Sequence, residues 1–204
     1  MELILAYMSL ALIVSAICSV LEATLLSTPL SYVTTLETQG AKGASRLKNL
    51  KVNIDRPISA ILVVNTIANT VGASLVGSQA AKVFDSTGVG ILSAVFTLLI
   101  LLFSEIIPKT IGSCYWRKLA LPASALIKFL IFITFPLVYI IERLTHLISS
   151  GANQVSVSRE EVSAMVTVGA EEGVLQKKEN KMIQNLLKLD TITAHEIMTP
   201  SVVV

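Results

Sequence analysis

Charge is scarce in this sequence. Asp, Glu, Lys and Arg make up 15% of its 204 residues, against about 25% in a soluble domain. A soluble core needs a charged shell, and the first three quarters of the chain hold too few charges to make one. The charges gather instead at Lys42–Arg56, at Lys109–Lys118 and from Arg159 onward. Histidine is rarer still. His146 and His195 are the only two, and neither has another ligand nearby at zinc spacing, so both are read as surface residues. Cysteine is limited to Cys18 and Cys114, without CxxC spacing, which excludes a disulfide framework and a zinc knuckle. Aromatics are only 5% and no basic run interleaves with them, so nucleic acid is excluded as a partner. There is no Ser-His-Asp set, no glycine-rich phosphate loop and no HExxH motif. An enzyme is therefore not expected.

What is present is apolar length. The hydrophobic share is 53% and the mean hydropathy +0.73. A span needs roughly 20 residues at about 1.5 Å each. Segment one runs from about Leu3 to Thr28 and is closed by Pro29. Its start lacks the basic residues of a cleavable signal. Segment two runs over about Ile58–Val83 behind Pro57, and segment three over about Val89–Gly112 with Pro108 inside it. Segment four, about Leu119–Ile148, carries Pro122, Lys128 and Pro136.

The basic loops fix an orientation by the positive-inside rule. Lys42, Arg46, Lys48, Lys51 and Arg56 follow segment one, and Arg117 and Lys118 follow segment three. This predicts an N-terminus outside and a C-terminus inside. A mid-segment Lys128 and two prolines argue against a fourth crossing. Segment four is expected as a bent helix along the inner interface, with Lys128 snorkelling to headgroups. Short surface helices separated by Gly40 and Gly43 are expected in the first basic loop. In the tail, the spacing of Val162, Met165 and Val166 and of Met182, Ile183, Leu186 and Leu187 predicts two helices, with Gly173 between them. The expected fold is an all-α membrane protein: three transmembrane helices, an interfacial juxtamembrane helix and a small cytosolic helical bundle. Its expected parts are residues 1–150, 151–194 and 195–204.

The spans carry polar residues at helical spacing. Ser15, Ser19 and Glu22 share one face of segment one, and Asn65, Asn69 and Gly72 one face of segment two. Ser104, Glu105 and Lys109 surround Pro108. Counting about 1.5 Å per residue, Ser19 and Glu105 lie roughly 24 Å from the outer end and Asn65 about 10 Å from the inner end. All three fall in the inner half of an apolar core about 30 Å thick. Hydroxyls, amide carbonyls and carboxylates are hard oxygen ligands, suited to magnesium, calcium or sodium. Pro108 lacks an N–H, so the Ser104 carbonyl is expected to lose its helical partner. Plainer roles stand beside these. Ser15 can simply pack, Asn65 and Asn69 can glue helices, and Glu22 can pair with Lys109. Glu105 is the residue hardest to explain without function, because a carboxylate so deep is costly unpaired. Lys109 reads as its counter-charge or as a gate. Ala68, Gly72 and Ala73 form a small-residue face, a weak sign of a dimer.

SAICSVLEATLLSTP, NTIAN and FSEIIPKTIG, in this order, resemble the membrane domain of the CorC/cyclin M (CNNM) family of magnesium transporters. SREEVSAMVTVGAEEGVLQKKENKMI is similar to that family's acidic helical region, and HEIMTP to the lead-in of its paired CBS domains. The resemblance implies three spans and a juxtamembrane helix. It also implies a homodimer in the plasma membrane that exports Mg2+, with Na+ as the coupling ion. It assigns Ser19, Asn65 and Glu105 to the ion pathway, with Ser15, Glu22 and Asn69 as a second tier. Many members have Gly at the position of Ser104, so here the hydroxyl is a further candidate ligand. The chain stops at Val204, where a CBS pair would begin. It is therefore expected to be a piece of a longer protein, with ATP acting only through that missing pair. A magnesium-sensing membrane scaffold that regulates another transporter is the alternative, and a plain membrane anchor for the tail is a third reading.

Overall fold

The computed structural model describes residues 2–149, 158–171, 173–187 and 189. Among the described residues, three helices are long and apolar enough to cross a membrane. They are α1 (Glu2–Ser27), α4 (Asp55–Ala80) and a continuous run over Ser86–Cys114. At about 1.5 Å per residue their 26, 26 and 29 residues exceed a hydrocarbon core of about 30 Å. The third run is composite. It consists of α5 (Ser86–Leu99), a π-helical stretch (Ile100–Ile106) and α6 (Ile107–Cys114).

Local chemistry sets the boundaries. Pro29 has no N–H to offer the Leu25 carbonyl one turn back. Lys51 Nζ supplies the missing donor at 3.1 Å, and burial holds the pKa of that lysine below its ordinary value. The basic loop folds into α2 (Leu30–Thr38) and α3 (Ala44–Val52). Gly40 and Gly43 stand between them at φ of 71° and 94°, a region that glycine enters without a Cβ penalty. Segment two begins two residues earlier than Pro57 and ends at Ala80 rather than Val83. A turn closed by Phe84 N on the Ala80 carbonyl at 2.8 Å follows it. Asp85 then caps α5, its Oδ1 accepting from the Gly88 amide at 3.0 Å, the usual task of an acid at that position.

Segment four is two helices, α7 (Trp116–Ile133) and α8 (Phe135–Ser149), with an 85° bend between them. Pro122 is accommodated inside α7, while the break falls at Thr134, just ahead of Pro136. If this pair were one bent span it would be a fourth.

The membrane unit, residues 1–150, has two apolar cores. One joins Ile4, Met8 and Ala11 of α1 to Val76 and Phe96. The other joins Leu21 and Leu25 to Val33, Leu47, Ile61 and Ile127. Leu10, Ile13, Ile17, Ile91, Leu98 and Phe103 stay exposed, as expected of side chains that face lipid. Gly72 is consumed within the chain. A Cβ there would lie 2.4 Å from the Ala11 Cβ, so its smallness lets α1 and α4 approach and need not mark a dimer face.

The second unit, residues 151–204, contains α9 (Arg159–Glu171) and α10 (Lys177–Leu187). Ser158 and Glu161 form a reciprocal capping box at 3.1 and 3.2 Å. Gly173 at φ 78° makes the break, and Gln184 Nε2 donates to Thr167 Oγ1 at 2.9 Å across the pair. The side chain of His146, all of His195 and the segment 195–204 lie outside the described residues.

Candidate ion site

Between the two apolar cores lies a polar layer built from all three spans. Ser15 Oγ donates to Asn65 Oδ1 at 2.5 Å. Asn65 Nδ2 in turn donates to Glu105 Oε1 at 3.1 Å. Glu105 Oε2 then meets Lys109 Nζ at 3.2 Å, and the same ammonium reaches Glu22 Oε2 at 3.4 Å. Five side chains thus form one chain of contacts from α1 through α4 to the third span and back to α1. Asn65 is its hub, because a carboxamide both accepts and donates.

Four hydroxyl and amide oxygens of this region are buried without a hydrogen-bond partner among the described residues. They are Ser19 Oγ, Thr24 Oγ1, Asn69 Oδ1 and Ser104 Oγ. Ser19, Thr24 and Ser104 are fully buried. An unpaired polar atom in an apolar interior costs about 1–3 kcal/mol, so four such oxygens together point to a shared partner, an ion or ordered water. The carboxylates are less enclosed. The Glu22 and Glu105 side chains remain 28% and 29% exposed, and Lys109 43%, which leaves the charged end of the cluster open. Two carboxylates against one ammonium give it a formal charge of −1. Among the described residues no three His, Cys, Asp or Glu side chains stand so that they alone could hold a metal ion. The donors are those of a hard, oxygen-seeking cation and not of zinc or copper.

Of the seven residues singled out from sequence, Ser15, Glu22, Asn65 and Glu105 are brought into one network. Ser19, Asn69 and Ser104 supply orphaned oxygens beside it. The contact to Asn65 comes from Ser15 rather than from Ser19. Glu22 takes the Lys109 pairing weighed for it. Thr24 was missed, because its i+5 offset from Ser19 falls off the one-turn ladder. The π-helical stretch was missed as well. Ile107 N–H donates to the Leu102 carbonyl, five residues back. In that register the carbonyl facing the absent Pro108 N–H is that of Phe103, one residue before Ser104. Ser104 is therefore better placed in the site by its buried hydroxyl than by its carbonyl. A π bulge also turns the residues that follow it by about 100° relative to an uninterrupted helix. Lys109, which follows the stretch, is thereby on the side where Glu22 is, and Glu105 inside it meets Asn65.

The family model of the cyclin M transmembrane N-terminal domain matches residues 6–179, which includes all of these side chains. The chain belongs to this family. Its relatives include a UPF0053 protein of Synechocystis sp., 37% identical over 201 residues, covering 98% of this chain and 58% of that protein. The UPF0053 inner membrane protein YfjD of Escherichia coli is 29% identical over 173 residues, covering 79% of the chain and 39% of YfjD. A polyamine export protein of Haemophilus influenzae is 28% identical over 138 residues, covering 65% of the chain and 31% of that protein. The chain thus spans less than two thirds of the length of each of these relatives. A cyclin M membrane domain with three spans and a shared polar layer is what the sequence and the structure jointly describe.

Proposed function

We propose that this chain is the membrane part of a secondary transporter that exports magnesium across the plasma membrane, with sodium as the coupling ion. The observation that carries the reading is the Ser15–Asn65–Glu105–Lys109–Glu22 chain of contacts, flanked by the orphaned oxygens of Ser19, Asn69 and Ser104. In this reading those neutral oxygens and Asn65 Oδ1 ligate the ion, and Glu105 and Glu22 offset its charge. Magnesium favours few carboxylates and several neutral oxygens. Alternation then rests on the third span, whose π-helical stretch is a break of the kind transporters place at ion sites. In this reading the N-terminus is outside and the C-terminus in the cytoplasm, which the basic loops favour, and α7–α8 lie along the inner interface, which their 85° bend and Lys128 favour. The working unit is a homodimer.

Lys109 has a defined part in this scheme. Its ammonium sits between the two carboxylates and holds a cation's place until an ion displaces it. Lys109→Gln is therefore expected to tighten magnesium binding by about tenfold while lowering the melting temperature of the ion-free protein. Titrating magnesium in a thermal-shift assay measures both, and unchanged or weaker binding would remove this role.

One observation favours a second reading. A lysine ammonium seated between Glu22 and Glu105 shows what a primary amine does there, and a relative is named a polyamine export protein. Export of a polyamine through the same carboxylates is thus the rival substrate. The purified chain in proteoliposomes decides. Magnesium flux without spermidine flux supports the first reading, and the reverse supports the second. Binding of magnesium with no flux of either points to a sensor that regulates another transporter.

A further inference from the structure

A second cluster of charge lies away from the polar layer, on the basic side of the spans. A cavity of about 820 Å³ opens where α3, the first turn of α4 and the α7–α8 bend meet. Three of its lining residues are cations, Arg46, Arg56 and Lys128, and none is acidic. Arg46 Nε is oriented by donating to Ser124 Oγ at 3.3 Å. The Arg56 guanidinium lies 5.7 Å from the centroid of the Phe135 ring. Asn49 and Asn53 add amide donors to the same wall.

The remaining wall is apolar. Ile131, Phe132 and Phe135 line it, and Phe132 is 79% exposed, an arrangement that only a nonpolar neighbour makes favourable. Arg56 and Pro57 belong to the first turn of a membrane span, so the cavity sits at the level where hydrocarbon gives way to headgroups. Cations on one side and aromatic surface on the other match an amphiphile with an anionic head. Guanidinium groups suit phosphate in particular, through parallel hydrogen bonds, and basic pockets between spans are a known form of headgroup site.

We propose that this cavity binds an anionic phospholipid, its phosphate held by Arg46, Arg56 and Lys128 and its first acyl carbons laid on Ile131, Phe132 and Phe135. The site is independent of the ion layer. It joins α3 and the adjoining start of α4 to the α7–α8 bend, which is distant in sequence, so an occupied site would brace that bend against α3 and α4.

The test uses the 204-residue chain in nanodiscs of phosphatidylcholine with a graded fraction of phosphatidylglycerol. Bound lipid is counted by native mass spectrometry after gentle release, alongside the melting temperature. The wild type is expected to retain phosphatidylglycerol selectively and to melt higher as its fraction rises. Arg46→Gln/Arg56→Gln/Lys128→Gln is expected to lose about tenfold in relative affinity for phosphatidylglycerol, and its melting temperature, whatever its value in pure phosphatidylcholine, should not rise with the phosphatidylglycerol fraction. A control, Lys42→Gln/Arg117→Gln/Lys118→Gln, removes the same charge elsewhere on the basic face and should keep the selectivity. Equal loss in both triple variants would reduce the effect to general surface attraction and overturn the site. Equal protection by soluble glycerol 3-phosphate would overturn the lipid as its ligand. If the cavity triple variant fails to fold, Lys128→Gln alone carries the test, with a loss of about threefold expected and full retention contradicting the assignment.

Discussion

Glu105→Gln is expected to cut magnesium flux in proteoliposomes by about 10- to 100-fold, the value of one charged contact of about 1.5–3 kcal/mol. The substitution keeps the shape of the side chain and an oxygen that can still accept from Asn65 Nδ2. What it removes is the charge that faces Lys109 at 3.2 Å and, in the proposed site, the cation. Folding should therefore change little and transport much. Glu22→Gln should cost less. Glu22 touches the network only through Lys109, at 3.4 Å, and not through the amide hub. Flux measured at saturating and limiting magnesium separates the two. If Glu105→Gln carries magnesium as fast as the wild type while Asn65→Leu does not, the carboxylate is structural and the charge argument fails.

The second large effect concerns a residue without a side chain. Gly112→Ala is expected to destabilise the membrane unit by about 1–3 kcal/mol, the usual cost of overpacking, and Gly112→Val more. A Cβ at this position would lie 2.7 Å from the Val20 carbonyl oxygen and 2.9 Å from the Ala23 Cβ. The first of these is backbone, which cannot step aside as a flexible side chain can. Relief requires α6 to move off α1. Lys109 lies one turn before Gly112 on the same helix, so its contact with Glu22 of α1 would lengthen and flux should fall with stability. Gly90→Ala is the matched control. Nothing lies within 4 Å of a Cβ there, and alanine should stabilise α5 by up to about 1 kcal/mol. Melting curves of the two variants in one lipid mixture give the comparison. A tolerant Gly112→Ala would mean that α1 and α6 are not held as closely as described.

The spans were legible because hydropathy and length speak directly to a bilayer. So were the breaks at Gly40, Gly43 and Gly173, where a positive φ excludes most other residues. The level of the polar layer was legible too. A rise of about 1.5 Å per residue placed Ser19, Asn65 and Glu105 in the inner half together, and the 3.1 Å contact of Asn65 with Glu105 agrees with that level for two of the three. What the sequence could not give is relative offset. Ser15 and Ser19 are one turn apart, about 6 Å, and which of them meets Asn65 depends on how far α1 slides along α4. That distance is fixed by packing such as Ala11 on Gly72, which no motif announces. The π-helical stretch over Ile100–Ile106 was hidden for a related reason. Pro108 signals a lost donor but not whether the chain answers with a kink or an extra residue in the turn. With that register unknown, Lys109 could be weighed as a counter-charge to Glu105 but not seen to bridge both carboxylates.

The most direct test of the central claim is magnesium-dependent thermal stabilisation of the purified chain and of Asn65→Leu, with calcium, sodium and spermidine run alongside. A ligand that binds only the folded state raises stability by about 2.7 kcal/mol at one hundred times its Kd. The account predicts that magnesium raises the melting temperature of the wild type with a saturating concentration dependence, and that Asn65→Leu abolishes the rise. An equal rise in both proteins would place the ion somewhere other than the layer that Ser15, Asn65 and Glu105 form.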